Sequence, residues 1–298
     1  MKNLLRALPC FTQVESISII SSGLSQQSFK VFADNQVFFA KTINDNAEVL
    51  TTICANQLKL APNIFYYDEN WLINEFIDAQ DLTSGMQNLE NKITHAIKLM
   101  VQCHQLTVKP AELATNHIID ELINNAHYSA AQQEALLQLS QLFTPSFNHS
   151  NNSVFCHGDV NFSNILINET QETWLIDYEC ACIAPLEYDL AMFIAVNDIP
   201  NEEIITIVEQ YQNLSTAEVN FKLLRQYLQF CYFINALWYF NACHKKEHTE
   251  NKHALLQHAK NQWYALNSAL NVEGSHLLSR LGIKLTNVLT TFDLSKQT

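Results

Sequence analysis

Residues 156–167 read Cys-His-Gly-Asp-Val-Asn-Phe-Ser-Asn-Ile-Leu-Ile, and thirteen positions past Asn164 comes a second aspartate in Leu175-Ile176-Asp177-Tyr178-Glu179. An aspartate, an asparagine five positions on and another aspartate beyond one apolar stretch form the oxygen set that Mg²⁺-dependent phosphoryl transfer from ATP requires. Such transfer asks little covalent work of a protein. What matters is holding Mg²⁺ against the phosphates and keeping the acceptor hydroxyl in line with them. Mg²⁺ is a hard ion that keeps several of its own waters, so one or two carboxylates and an amide oxygen suffice as protein ligands. On this reading Asp177 and Asn164 hold the metal. Asp159 faces the acceptor hydroxyl and takes its proton as the oxygen attacks.

The flanking residues have to form a loop set between strands. Val154-Phe155 is a short apolar run before the loop, Ile165-Leu166-Ile167 is apolar and β-branched after it, and Trp174-Leu175-Ile176 delivers Asp177. With Asn168-Glu169-Thr170-Gln171 closing the last two strands, Asn164 and Asp177 would lie side by side.

His-Gly-Asp-x4-Asn followed by Ile-Asp-aromatic-Glu resembles the aminoglycoside phosphotransferase and choline kinase superfamily. The resemblance implies an α+β, two-lobed protein-kinase-like fold. Residues 1–77 would form a small antiparallel-sheet N-lobe with the nucleotide clamp, and residues 78–298 a larger, mainly helical C-lobe. It implies ATP and Mg²⁺ as cofactors. It also departs from protein kinases: Gly158 stands where an Arg is usual, and Tyr178-Glu179 replaces Phe-Gly. Without that Arg there is no receiver for an activation-loop phosphate. Tyr188-Asp189-Leu190-Ala191 matches a further element of the superfamily, in which the aspartate braces the catalytic loop, so Asp189 and His157 are assigned structural support.

The N-terminal third should carry the clamp. Ile17–Ile20 and Phe29–Phe32 read as strands around a turn containing Ser22, Gly23 and Ser25, whose N–H groups and hydroxyls suit phosphate oxygens. This turn is similar to the superfamily's Gly-Leu-Ser/Thr-Asn loop. Val37–Ala40 leads into Lys41, at the place of the lysine that meets the α- and β-phosphates. Glu48 opens an amphipathic run from Ala47 to Leu60, with Asn46 as its cap, and would pair with Lys41. Glu75, Phe76 and Ile77 follow the apolar Trp71-Leu72-Ile73 as the hinge whose backbone meets adenine. Ile93–Leu106 has apolar residues at helical spacing and reads as a core helix, with His104 as a core or cap residue.

The remaining composition narrows the class. Of 298 residues, 48% are hydrophobic and 16% charged, with only 5 Gly and 6 Pro, which favours a helix-rich protein. No apolar run reaches the ~20 residues of a membrane span. Arg6 and Pro9 interrupt the N-terminal segment too early for a secretory leader, so a cytoplasmic protein is expected. The 8 cysteines lack zinc-type pairing and suit small buried hydrophobes, with Cys180-x-Cys182 weighed as a redox pair. His244, His248, His253 and His258 fall in a charged stretch and could also face a metal.

With 30 acidic and 17 basic residues the net charge is −13, which disfavours nucleic acid and anionic membranes as partners and favours a small cationic substrate. Glu202–Gln212 is amphipathic, and 221–244 is dense in aromatics and reads as a buried helix. In the resemblance, choline and thiamine kinases set a Trp-bearing helix of this kind against a cationic nitrogen, which nominates Trp238 as a substrate contact. Glu179 would either assist a second Mg²⁺ or neutralise the substrate cation. The expected reaction is γ-phosphoryl transfer to a hydroxyl of a small cationic alcohol, thiamine or choline favoured. Aminoglycoside O-phosphotransfer is the alternative enzyme, and a catalytically inactive nucleotide-binding protein the alternative of another class. Oligomeric state is left open.

Overall fold

The computed structural model describes residues 1–20, 27–43, 45–124, 128–145, 153–245 and 251–280, the last ten by backbone alone. The order is α1 (Lys2–Arg6), β1 (Val14–Ile20), β2 (Ser28–Ala33), β3 (Gln36–Thr42), α2 (Asn46–Gln57), β4 (Ile64–Tyr67), β5 (Trp71–Glu75), β6 (Gln80–Asp81), α3 (Leu89–Cys103), α4 (Thr115–Asn124) and α5 (Ala130–Ser140). Then come β7 (Ser153–Cys156), β8 (Ile165–Ile167), β9 (Thr173–Leu175), β10 (Cys182–Pro185), α6 (Leu186–Val196), α7 (Ile204–Ser215), α8 (Phe221–Cys243) and α9 (Lys252–Arg280). The expected α+β class holds, with an antiparallel sheet in the N-terminal region and helices in the C-terminal region.

Packing divides the chain into two compact units, Met1–Ala111 with Val154–Ala184 and Glu209–Thr216, and Glu112–Ser153 with Pro185–Val208 and Ala217–Thr298. In the first, β1-β2-β3-β5-β4 form an antiparallel sheet. Asp34 and Asn35 both take positive φ in the tight β2–β3 turn, a conformation that twists with the strands. Strand alternation gives the sheet two different faces. Phe38, Ala40, Trp71 and Ile73 join Phe29 and Val31 in a core that Leu5, Leu8 and Phe11 cover. Phe39, Lys41, Leu72 and Asn74 point to the other face and line a cavity.

The expected strands and helices are present with shifted ends. α2 is capped by Asp45 rather than Asn46: the Asp45 carboxylate accepts from Ala47 N–H at 2.9 Å. It also stops before Leu60, because Lys59 turns left-handed and the Leu60 N–H closes back on the Ala55 carbonyl. α3 starts at Leu89 because the Asn88 side chain caps it. Ser22, Gly23 and Ser25 lie outside the described residues, as does His248.

The second unit is helical. Within it α8 packs on α4, α6 and α9, and α4 also packs on α5. Phe233 is fully buried and meets Phe143 edge-on at 5.2 Å and Trp263 at 6.3 Å. The buried Gln262 amide bonds the Ala195 carbonyl at 2.7 Å and the Asp198 carboxylate at 2.9 Å, fixing α9 on the end of α6. The late histidines serve separate elements: His244 caps α8, and His258 faces Asp198, which holds its ring above the ordinary value through a hydrogen bond. All eight cysteines are free thiols, Cys180 and Cys182 included. Among the described residues no helix is long and apolar enough to cross a membrane.

Phe233 fills the junction of α8 with α9 and with the segment after α5. Phe233→Ala should therefore cost about 3–5 kcal/mol of unfolding free energy in urea titration. A loss under 1 kcal/mol would mean that these helices do not pack as described.

Candidate active site

The loop at 157–164 is fixed by its own backbone and two side chains. His157 is fully buried; its Nε2 lies 3.1 Å from the Ile176 carbonyl and its Nδ1 3.2 Å from the Asp159 N–H. Nδ1 must accept from an N–H, so Nε2 carries the proton and donates to Ile176. One neutral imidazole thereby ties the segment before Asp177 to the segment carrying Asp159. Gly158 lies between them with φ +79, and a Cβ there would stand 2.3 Å from the Cys180 carbonyl oxygen. No side chain fits such an approach.

Asn164 is buried, and its Nδ2 donates at 3.0 Å to both the Asp159 carbonyl and the Asp159 Oδ2. With its nitrogen committed, its oxygen is the end left for a cation. Asn161 caps the short turn at Phe162–Asn164, accepting from Ser163 N–H. From that turn β8 pairs with β9, Ile165 opposite Leu175, and the Asn164 carbonyl accepts the Ile176 N–H at 2.9 Å. The expected hairpin thus sets Asn164 beside the residue that precedes Asp177. β6 completes this small sheet, and α3 packs against β9.

Asp177 adopts a left-handed conformation, φ 69 and ψ 65, which aspartate tolerates better than most residues. Its Oδ1 lies 2.7 Å from Lys41 Nζ, and Glu48 Oε1 lies 2.6 Å from the same nitrogen. The side chains of Lys41, Glu48 and Asp177 are 8%, 4% and 30% exposed. Burial works against the Lys41 charge, but Asp177 and Glu48 outweigh it and hold the ammonium above its ordinary value. It stays protonated through the neutral range. Burial pushes the Glu48 carboxyl up against the pull of Lys41. The 2.6 Å contact to a fixed ammonium favours the ionised pair.

These groups edge a cavity of about 430 Å³, large enough for a nucleotide. Lys41, Glu48, Glu75, Phe76, Ile77, Asn164 and Asp177 all line it. Glu75 is held by Asn63, whose N–H and side-chain amide donate to its carboxylate at 3.0 Å. Lys30 Nζ sits 4.1 Å above the Phe76 ring. Glu179 is exposed in the turn after Asp177. Asp189, fully buried on α6, and Trp238, on α8, belong to the second unit. Trp238 is 38% exposed and stands edge-on to Tyr239, so it is set apart from the buried face of its helix. The donor set, the Asp177 carboxylate and the Asn164 amide oxygen beside the Lys41 ammonium, suits Mg²⁺ and a nucleotide.

Residues 16–221 match the phosphotransferase enzyme family, more than half of the chain. The chain belongs to that family. As a phosphotransferase it has solved structural neighbours with the same fold. The choline kinase LicA from Streptococcus pneumoniae superposes with TM-score 0.67 at 17% identity, over 86% of this chain and 95% of that one. A choline kinase from Cryptosporidium parvum Iowa II gives 0.66 at 18% identity, over 91% of each chain. Spectinomycin phosphotransferase APH(9)-Ia, in complex with ADP and spectinomycin, gives 0.60 at 15% identity, over 88% of this chain and 94% of that one. Probable choline kinase 2 of Arabidopsis thaliana is 36% identical over 56 residues, 18% of this phosphotransferase and 16% of that protein, well under two thirds of its length.

Sequence reasoning named the lysine and the hinge but not Phe39, Leu72, Asn74 and Tyr178, which also line the cavity. The signal was available: on paired strands, residues two apart from Lys41 share its face.

Gly158→Ala should abolish turnover without unfolding the protein, since the Cys180 carbonyl must move and carry the Asp177 turn with it. Circular dichroism and initial-rate assays check this together. An active, natively folded Gly158→Ala protein would show that the two loops do not need this approach.

Proposed function

We propose that this phosphotransferase is an ATP- and Mg²⁺-dependent kinase that moves the γ-phosphoryl group to a hydroxyl of a small cationic alcohol, with choline or thiamine favoured. The observation that carries the reading is the 2.7 Å contact between Lys41 and Asp177, 136 positions apart in sequence, at the edge of a nucleotide-sized cavity. Such a long-range, part-buried contact has no use in a chance motif.

In this reading Asn164 and Asp177 hold Mg²⁺, which when bound neutralises phosphate charge. Lys41 meets the α- and β-phosphates and is kept aimed by Glu48. Asp159 orients the acceptor hydroxyl and receives its proton, and Asn164 fixes that carboxylate through its amide hydrogen bond. His157 and Asp189 support the loop. Ser22, Gly23 and Ser25 cover the phosphates, and the backbone of Glu75–Ile77 takes the base. Residues 1–77 clamp the nucleotide and 78–298 carry the catalytic loop and acceptor pocket, a division by role rather than by packing. Trp238 offers a half-exposed aromatic face to a cationic nitrogen, a contact worth about 0.5–2 kcal/mol. Glu179 contributes a carboxylate on the acceptor side. The net charge of −13 and the choline kinases among the fold relatives support the cationic alcohol. The intact Lys41, Asp159, Asn164 and Asp177 speak against an inactive nucleotide-binding protein.

Thermal-shift and ADP-release assays with choline, ethanolamine, thiamine and kanamycin identify the acceptor. Turnover with kanamycin alone would transfer the protein to the aminoglycoside reading, and no turnover alongside ADP binding would favour the inactive one. Asp159→Ala should lower kcat by about 10³-fold while ADP binding persists. Asp177→Ala should instead lose Mg²⁺-dependent nucleotide binding in calorimetry. Near-normal turnover by Asp159→Ala would remove the base assignment.

A further inference from the structure

The sheet of the first unit ends on β4, which pairs with β5 on one side and, among the described residues, with no strand on the other. Beside that free edge runs a groove of about 520 Å³, walled by Ile53, Asn56 and Gln57 of α2 and by Ile64, Phe65 and Tyr67 of β4. Its rims are apolar: Leu50, Leu58, Phe65 and Tyr67 are each half-exposed. Charge is nearly absent. From Val49 to Tyr67 the chain carries one charged residue, Lys59, although 16% of the whole chain is charged. Edge strands that stay single are usually guarded by lysine, proline or an inward charge, and Ile-Phe-Tyr-Tyr has none of these. The opposite edge, β1, does carry an exposed Glu15, and its Ser18 already lines the cavity beside Lys41. The guard that β4 does have is a bulge between Ile64 and Tyr66, and the bulge selects the partner.

It does so by setting which backbone groups face outwards. The Asn63 carbonyl accepts from the Glu75 N–H at 2.9 Å, and the Asp68 N–H donates to the Trp71 carbonyl at 3.0 Å, so both residues face β5. Backbone groups alternate along a strand, and the bulge adds one residue to the count. Ile64 and Tyr67 are therefore the residues whose N–H and C=O point away from the sheet, three positions apart rather than two. A regular extended segment presents such groups at every second residue and falls out of step with that spacing. An identical strand laid antiparallel stays in step, because Ile64 meets the partner's Tyr67 and Tyr67 meets the partner's Ile64. The two-fold axis then passes between Phe65 and Tyr66, and both α2 helices come to one face of the joined sheet. Charge points to the same occupant. Two copies of a chain of net charge −13 repel one another and can meet only across an uncharged surface, as this edge is. A cationic partner would be drawn to acidic surface, which this edge does not offer.

We propose that the β4 edge is a homodimer interface, in which β4 pairs antiparallel with β4 of a second copy and the two five-stranded sheets become continuous. The backbone groups of Ile64 and Tyr67 are exchanged across the axis, and Leu50, Phe65 and Tyr67 are covered. The proposal is independent of the nucleotide and of the acceptor.

Sedimentation velocity on the full chain, from low to high micromolar concentration, tests it. The wild-type protein should sediment as a dimer, at twice 34.1 kDa, and hydrogen exchange should find the Ile64 and Tyr67 amides protected. Tyr67→Lys puts a charge on the edge once in each copy and should weaken association about a hundredfold, tenfold per copy. Tyr67→Pro should act likewise, since it removes an outward N–H and leaves the bonds to β5 in place. Thermal melting confirms that each variant folds. A wild-type monomer throughout that range overturns the proposal. So does a dimer that survives Tyr67→Lys, or one in which the Ile64 and Tyr67 amides exchange freely.

Discussion

A single buried ammonium organises the first unit. Lys41 Nζ lies between Glu48 of α2 and Asp177 of the loop after β9, with both contacts under 3 Å. Such an arrangement is poor value as stabilisation, since desolvating three charges costs several kcal/mol per ion and a well-packed apolar trio would do as well. Removing one partner is another matter: it strands a buried charge, at about 3–5 kcal/mol. The ion pair therefore acts as a constraint. It links strand, helix and loop in one geometry, and any ligand that competes for the ammonium does so against carboxylates already in place.

The loop carrying Asp159 is built so that nothing in it can relax independently. Its histidine spans two backbone segments, its glycine admits a carbonyl at a distance no side chain allows, and its asparagine grips Asp159 at both main chain and carboxylate. Each of these is a short-range device made from residues close in sequence. Their joint effect is long-range, because the Cys180 and Ile176 carbonyls they engage belong to the turn that holds Asp177. The aspartate at 159 is thus positioned relative to Asp177, the partner of Lys41, through the His157 ring, the Asn164 amide and the peptide groups that they engage.

What was legible in the sequence divides along the same line. The β8–β9 hairpin was readable because Asp159, Asn164 and Asp177 sit within nineteen residues whose apolar runs specify β8 and β9. α8 was readable as a buried helix from aromatics on nearly every face. Helix ends were less so: Asp45 and Asn46 are both capping types, and only the backbone decides which one turns out of the helix. α5 went unread although Ser129 and Gln132 form a reciprocal capping box at its start, because the pattern is common outside helices. β4 is four residues long with a bulge and pairs by its backbone, which leaves little side-chain periodicity to read. Asn74 was invisible as a site residue because an amide in an apolar strand has meaning only once its face is known.

The two faces of the N-terminal sheet show why that knowledge matters. Phe38 and Phe39 are adjacent and identical in type, yet one packs against Phe11 and Phe65 and the other lines the cavity. The alternation that separates them also separates Ile73 from Asn74 and Ala40 from Lys41. A slip of one residue in β3 or β5 would bury the ammonium in the core under α1 and turn core residues into the cavity. The register is held against that slip from the core side, where Phe29, Phe38, Trp71 and Ile73 have no other place to bury their area. The apolar face, which takes no part in chemistry, is therefore what keeps the polar face in register with the loop it serves.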